Sequence, residues 1–307
     1  MDETLKYSPL EIAKIIGEPL DPRKPYPDLI EAVCFTDTAE PNEYVYYHTY
    51  LDATNTVYTI TSTSAVTSTA VAAQAPTAFT FIDVATPEYY VKITELASAK
   101  EATLARVLRT VNQSLNMREN QYLISLASAA AQSSHTLTSA QMRFSYNDLI
   151  EMMQDIIDYG DNYVLIVGSE LDQDIKLWDW NDNKNQSVLQ AFQSLGIKKV
   201  RMGVGNLTVD TNTAARQLVA NTGYLVALNT ELGKPFVFVR KKLNDIDLLG
   251  AAMKQNGDKP QRLVFISPNP ITASGGTTRY LAVGVTGFEE IVGACVNGMC
   301  VSKFVRS

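Results

Sequence analysis

The side chains best able to do chemistry are few in this chain, and none of them assemble into a reactive set. The two histidines, His48 and His135, are far apart, one in a strand-forming run and one just after a helical stretch, with no spacing for a shared metal. Neither His-Glu-x-x-His nor Cys-x-x-Cys occurs, and Gly168-Ser169-Glu170 lacks the outer glycines of a nucleophile elbow. Gly203-Val204-Gly205 is half a dinucleotide loop without its third glycine, so it reads as a turn. Gly233-Lys234-Pro235 lacks the leading glycine and the hydroxyl of a phosphate loop. Asp179-Trp180-Asn181-Asp182-Asn183 starts like a calcium loop, but Lys184 stands where glycine is needed and Gln190 where the bidentate carboxylate belongs. Asp172 and Asp174 are two apart on a helical stretch and do not face one another as paired catalytic carboxylates would. The sequence therefore reads as a non-enzyme that takes no cofactor and no metal.

Contact chemistry is better represented. Lys198, Lys199 and Arg201, and Arg240, Lys241 and Lys242, are the densest basic groups, each at the end of a strand-forming run. Pro25 to Val91 holds eight carboxylates and neither Lys nor Arg, so this acidic stretch is expected to be drawn to those basic patches. The three cysteines are too few for a disulfide scaffold and fit a reducing cytoplasm. Asn297-Gly298 between apolar flanks predicts a two-residue hairpin. Such a hairpin sets Cys295 opposite Cys300 at about 4.5 Å between Cα atoms, within reach of a disulfide. Two small buried thiols are the other reading, and the one a cytosolic product favours.

These groups must be positioned by larger elements, and the one that dominates is a rod. Glu88 to Tyr159 contains no glycine and no proline. Leu104, Leu108, Val111 and Leu115, continued by Tyr122, Leu126 and Ala129, mark one helical face from Thr94 to Ser134. Lys100, Glu101, Arg106, Arg109, Arg118 and Glu119 are placed on its outer face, and a break near Asn112–Asn116 is an open alternative. A straight helix over the 38 residues Glu95 to Gln132 spans roughly 57 Å, long for one globular domain.

Before the rod, Ser8-Pro9-Leu10-Glu11 is a capping box with proline at the first helical position, and Gly17 closes the helix. Leu10, Ile12, Ile15 and Ile16 are too apolar for so short a helix to leave in water, so it should dock on its own body or on a neighbour. Pro19, Pro22, Pro25 and Pro27 hold the following chain extended. Tyr44–Leu51, Thr56–Thr61 (with Tyr58 and Ile60) and Phe79–Ile82 are strand runs around a Thr/Ser/Ala/Val segment with little to build a core. That predicts a projecting β-arm with edges open to another chain; a flap folded back on its own domain is the alternative.

After the rod, Ser145 with Asp148 caps a helix that ends near Gly160 and turns Leu149, Met152, Met153, Ile156 and Ile157 inward. Strands over 163–168, 199–202, 224–228 and 235–240 alternate with helices over 169–178 and 187–195, a small layered α/β unit. Strand runs over 262–266, 279–285, 290–296 and 299–305 close the chain.

Composition sets the outer bounds. At 307 residues the chain can form one large or two ordinary domains. Only 19% of it is charged, as in chains that hide surface against other chains, and a net charge of −7 excludes nucleic-acid binding by overall charge. The acidic start Met1-Asp2-Glu3 is not that of a signal peptide, and no apolar run approaches a membrane span.

Arm, acidic β-arm, long helix, α/β unit and returning strands follow one another in an order that resembles the major capsid protein of tailed bacteriophages. That is the Hong-Kong-97-type fold, also used by encapsulins. Arg118-Glu119-Asn120-Gln121-Tyr122-Leu123 looks like the family's spine helix. Gly223-Tyr224-Leu225-Val226-Ala227-Leu228-Asn229-Thr230 with Gly233-Lys234-Pro235-Phe236 is similar to strand pairs of its axial domain. The resemblance implies an α+β chain with an N-terminal arm (1–40), an extended β-loop (41–93), a peripheral domain (94–144 and 261–307) and an axial domain (145–260). It implies self-assembly into hexamers and pentamers of an icosahedral head shell around double-stranded DNA, without sequence-specific binding or a membrane. Scaffold, portal and cement or decoration proteins would be further partners, with assembly in the host cytoplasm and residence in the virion. Leu10, Ile12, Ile15, Ile16, Tyr58, Ile60 and the two basic groups are then the candidate inter-subunit contacts. The extended loop departs from the type member in having no lysine over 41–91, its single lysine being Lys92 next to the rod, so no isopeptide cross-link is expected from it. An encapsulin-like compartment is the alternative; a tail-tube protein would explain the β-arm but not the rod.

Overall fold

The structure, a computed structural model, describes residues 29–41, 43–47, 77–139, 143–181, 192–202, 206–209, 213–216, 218–228, 233–243, 261–267, 270–272 and 279–306. The capping box at Ser8, the candidates Leu10, Ile12, Ile15, Ile16, Tyr58 and Ile60, His48 and the loop at Gly203 lie outside these residues, as do residues 187–191 of the helix expected over 187–195, of which 192–194 are helical.

Helix α1 (Leu29–Val33) and strand β1 (Cys34–Ala39) come first, then the short strands β2 (Tyr46–Tyr47) and β3 (Thr77–Ala78), β4 (Ile82–Ala85) and β5 (Tyr89–Lys92). The rod follows as α2 (Ile93–Ala130), 38 residues without interruption, so the asparagines at 112 and 116 do not break it. Next are β6 (Thr136–Ser139), α3 (Tyr146–Ile156), β7 (Asn162–Val167), α4 (Ser169–Asn181) and β8 (Ile197–Arg201). The chain continues through β9 (Asn206–Val209), β10 (Thr213–Arg216), β11 (Thr222–Leu228), β12 (Phe236–Lys241), β13 (Arg262–Ser267), β14 (Pro270–Thr272), β15 (Arg279–Cys295) and β16 (Val301–Arg306).

Two sheets carry the molecule. In the larger, β15 is the spine: β4 and β5 pair with it, as do β12, β13 and β14, and β1 adds to β12 in parallel. The smaller runs β6-β16-β11-β7-β8. The runs at 279–285 and 290–296 are thus one 17-residue strand, not two. Residues 29–39, expected in a reaching arm, instead dock: Leu29, Ile30 and Val33 are fully buried and β1 pairs with β12 residue by residue. Strand β12 belongs to the larger sheet and β16 to the smaller, the reverse of their expected allotment, so β11 and β12 are not a pair. The short pairing Tyr46↔Ala78 closes the base of the segment between β2 and β3; the return begins at Thr77–Ala78 and resumes at Ile82, and Phe79–Phe81 are not strand.

The rod lies on β15 because β15 has glycine where the rod comes closest. A Cβ on Gly287 would sit 2.3 Å from Val111 Cγ1, and one on Gly293 would sit 2.8 Å from Leu126 Cδ1. Tyr122 Oη donates to the Gly293 carbonyl at 3.3 Å, closing the same contact. Val107, Val111, Leu115, Glu119, Leu123 and Ala127 form one buried ridge of the rod in steps of four, with Met117, Asn120 and Ile124 buried beside it. Tyr122 and Leu126 are half-buried against the same core, whereas Ala129, expected on the inner face, is exposed.

The smaller sheet is buried on both faces, and its alternation shows it. Val164 and Ile166 face the rod's core, while Leu165 and Val167 join a second core beneath α3 and α4. Helix α3 has the expected capping box, with Ser145 Oγ accepting from the Asp148 amide and the Asp148 carboxylate accepting from the Ser145 amide. Leu149, Met152, Met153 and Ile156 point inward, but Ile157 lies in the 3-10 turn that ends the helix and is exposed.

The Asn297-Gly298 hairpin does not form. Val296 N donates to the Pro235 carbonyl at 2.8 Å, which keeps the end of β15 beside β12. A 3-10 turn at Gly298–Cys300, with Asn297 Oδ1 accepting from Met299 N, then sends the chain into the other sheet. Cys295 packs against the first core and Cys300 within the second, so no register places them opposite one another. All three cysteines are thiols.

Candidate functional site

Where the rod crosses the larger sheet, two buried carboxylates meet two half-buried arginines. Glu119, on the buried ridge between Leu115 and Leu123, accepts from Arg240 in a bidentate pair: Nε to Oε1 at 2.7 Å and Nη2 to Oε2 at 2.9 Å. Arg262 Nη2 stands 3.0 Å from Glu119 Oε2, and its Nε donates to Glu289 Oε2 at 2.7 Å. The sheet makes this arrangement inevitable. Arg262 is the cross-strand partner of Glu289, and Arg240 pairs with Ile291 two residues along the same edge of β15. Strands β13 and β12 thus deliver two like charges side by side, and Glu119 from the rod lies across both. Glu119 is 2% exposed and Glu289 is fully buried. Burial, and then the charge of Glu119, push the Glu289 carboxyl up to about 7.

This cluster was missed in the sequence because a glutamate flanked by arginine defaults to the outer face. The spacing held the signal: Glu119 sits four residues from Leu115 and four from Leu123, both almost fully buried.

The basic run at 240–242 divides by strand alternation. Arg240 turns to the rod and stacks over Phe238 at 5.2 Å. Lys241 on the opposite face reaches Glu290 at 2.7 Å and the Phe81 ring at 5.4 Å. Lys242 meets Glu40 at 2.8 Å, so the acidic segment does come to this patch, but within one chain and at a half-exposed pair. In the other basic group, Lys199 and Arg201 reach Asp172 on α4, at 2.8 and 3.5 Å, with Lys176 2.8 Å away; Lys198 is exposed on edge strand β8. Burial works to raise the Asp172 carboxyl, but hydrogen bonds from Lys176 and Lys199 outweigh it and hold the group below its ordinary value. Asp174 serves different partners, accepting from the Phe144 amide at 3.0 Å and from Arg306 at 2.9 Å. The two aspartates are structural anchors of α4.

Nothing in the arrangement activates a nucleophile. Burial pushes the Cys295 thiol up to about 11, away from thiolate chemistry. Among the described residues no group of His, Cys, Asp and Glu could hold a metal ion, and no helix is long and apolar enough to cross a membrane. A groove of about 630 Å³ runs between the rod (Gln121, Ile124, Ser128) and the smaller sheet (Tyr224, Lys303), with Val219 from the loop before β11 also lining it. Phe35 on edge strand β1, Tyr44 and Tyr46 leave large aromatic surface in solvent at 63%, 84% and 56% exposure.

A rod laid on a long-stranded sheet, beside a second sheet covered by two helices, defines the Hong-Kong-97-type fold of shell-forming proteins. Solved structures bear this out along nearly the whole chain. A structure of Mycobacterium phage Bobi is similar over 99% of this chain and 99% of its own, with a TM-score of 0.58 at 12% identity. The capsid structure of the cyanophage P-SCSP1u covers 94% of this chain and 90% of its own, with a TM-score of 0.56 at 9% identity. The virus-like particle from Pyrococcus furiosus covers 96% and 98%, with a TM-score of 0.51 at 11% identity. Neither a family model nor a curated protein matches the sequence.

Proposed function

We propose that the chain is the major capsid protein of a tailed phage, a non-enzymatic building block that self-assembles into an icosahedral shell around double-stranded DNA. The observation that carries this is coverage: fold similarity spans both chains almost end to end for phage structures. The smaller sheet with α3 and α4 then serves as the axial domain, whose loops meet around capsomer axes. The rod with the larger sheet is the peripheral domain, and the segment between β2 and β3 is the extended loop. Residues 1–28, with Leu10, Ile12, Ile15 and Ile16, and the loop with Tyr58 and Ile60, supply contacts to neighbouring copies in hexamers and pentamers. Among the basic candidates, exposed Lys198 on edge strand β8 is the one whose position best suits a contact of this kind. Scaffold, portal and decoration proteins are further partners in this reading. The negative charge suits a wall that encloses DNA without gripping it.

The Pyrococcus virus-like particle supports a second reading, a protein nanocompartment, because it too is matched along nearly its whole length. Negative-stain images and nucleic-acid content of particles from the native source separate the two. DNA-filled shells support the phage reading; protein-loaded shells support the compartment; an isolated monomer contradicts both. Because 41–91 has no lysine and Lys92 closes β5 beside the rod, denaturing gels of matured shells should show no ladder that maps to the segment between β2 and β3.

A further inference from the structure

Glu289 is buried as a charge would not choose to be. One of its oxygens accepts from Arg262, and the other, Oε1, has no hydrogen-bond partner among the described residues. The charged groups facing it are Arg262 from β13, Arg240 from β12 and Glu119 from the rod; β4 sets Val84 in register with it, and Asp83 of that strand is in register with Glu290 on the opposite face. Arg240 holds Glu119 in a bidentate pair and acts on Glu289 only through its charge, whereas Arg262 bonds to both carboxyls, so these compete for Arg262. We propose that Glu289 is a proton-operated clamp between rod and sheet. Neutral, it leaves the Arg262 charge to Glu119 and the rod is held tightly on β12 and β13. Ionised, it draws Arg262 toward itself and adds a second buried anion beside Glu119, and the rod's grip weakens. This goes beyond the shell reading and stands or falls without it, since every group belongs to one chain.

The direction of the pH dependence follows. An unfolded glutamate titrates near 4.5, whereas burial and Glu119 hold the folded group up at about 7. Between those values the folded chain keeps a proton that the unfolded chain has released. The contribution to stability is fully present below about 4.5 and is lost as pH rises through about 7.

The test is thermal unfolding of the full chain from pH 5 to 8.5, for the wild type, Glu289→Gln, and Glu290→Gln on the opposite face. The wild-type midpoint should fall by several degrees between pH 5 and about 7 and level off above that, the Glu290→Gln profile should match it, and Glu289→Gln should be flat across the window. Infrared difference spectra of the folded chain supply a readout independent of assembly or refolding. A protonated-carboxyl band lost near pH 7 in the wild type and missing from Glu289→Gln supports the clamp. A wild-type midpoint that ignores pH, an unchanged slope in Glu289→Gln, or loss of the carboxyl band already near pH 4.5 overturns it.

Discussion

The two faces of the smaller sheet lead into cores built on opposite plans. Beneath α3 and α4 the contact is aromatic and aliphatic: Phe144 packs edge-on to Phe304 at 4.7 Å and tilts against Trp178 at 5.5 Å, amid Leu149, Met152 and Leu165. On the rod side, glycines let a helix ride close to β15, and two buried carboxylates meet two half-buried arginines at the crossing. Apolar packing of this kind supplies stability and tolerates rearrangement. A buried ion cluster supplies little net stability against an apolar substitute, but it fits only one register. The helix-covered core therefore holds the fold together, and the rod's core fixes where a long lever sits on its sheet.

The largest effects should come from breaking one member of each core. Glu119→Ala leaves two half-buried arginines without their shared carboxylate and should cost about 3 kcal/mol in chemical denaturation. Phe304→Ala should cost a similar amount, about 3–5 kcal/mol, by opening a cavity against Phe144. The comparison sharpens when the four charges are replaced together by apolar residues of similar volume. That variant should stay within roughly 1 kcal/mol of wild type or gain stability, yet show altered or heterogeneous assembly by electron microscopy. A matching loss in the quadruple variant and in Glu119→Ala would give the cluster an ordinary stabilising role. Gly287→Ala drives a methyl into Val111 and should cost about 1–3 kcal/mol. The smallest effect expected is for Lys242→Ala, which removes a half-exposed pair with Glu40 and should cost at most about 1 kcal/mol.

How legible each region was in the sequence follows the same division. The rod was readable because an absence is a strong signal: without glycine or proline nothing stops a helix, and the expected span over 95–132 differs from the observed Ile93–Ala130 only by a shift of two residues. Helix α3 was readable because its cap is a local bond between Ser145 and Asp148. The α/β strands around 164, 199, 225 and 237 were readable as apolar runs. What failed was whatever depends on a distant partner. Asn297-Gly298 carries a strong local hairpin signal, but pairing of β15 with β12 holds the chain past Cys295. A Cβ at Gly298 would come within 3.0 Å of the Ala130 carbonyl at the rod's end, so this glycine serves packing. Strand β1 was hidden among prolines and acids because its stability comes from a parallel partner two hundred residues on. Arg262 and Glu289 look like surface charges in isolation, and only strand pairing places them under the rod.

The central claim is that this chain is a unit whose stability is shared with copies of itself. Light scattering of the purified chain across a wide concentration range tests it most directly. The account predicts species many times heavier than the 33.8 kDa chain, as rings or closed shells. A single 33.8 kDa species at the highest concentration reached, with the rod still helical, would contradict it.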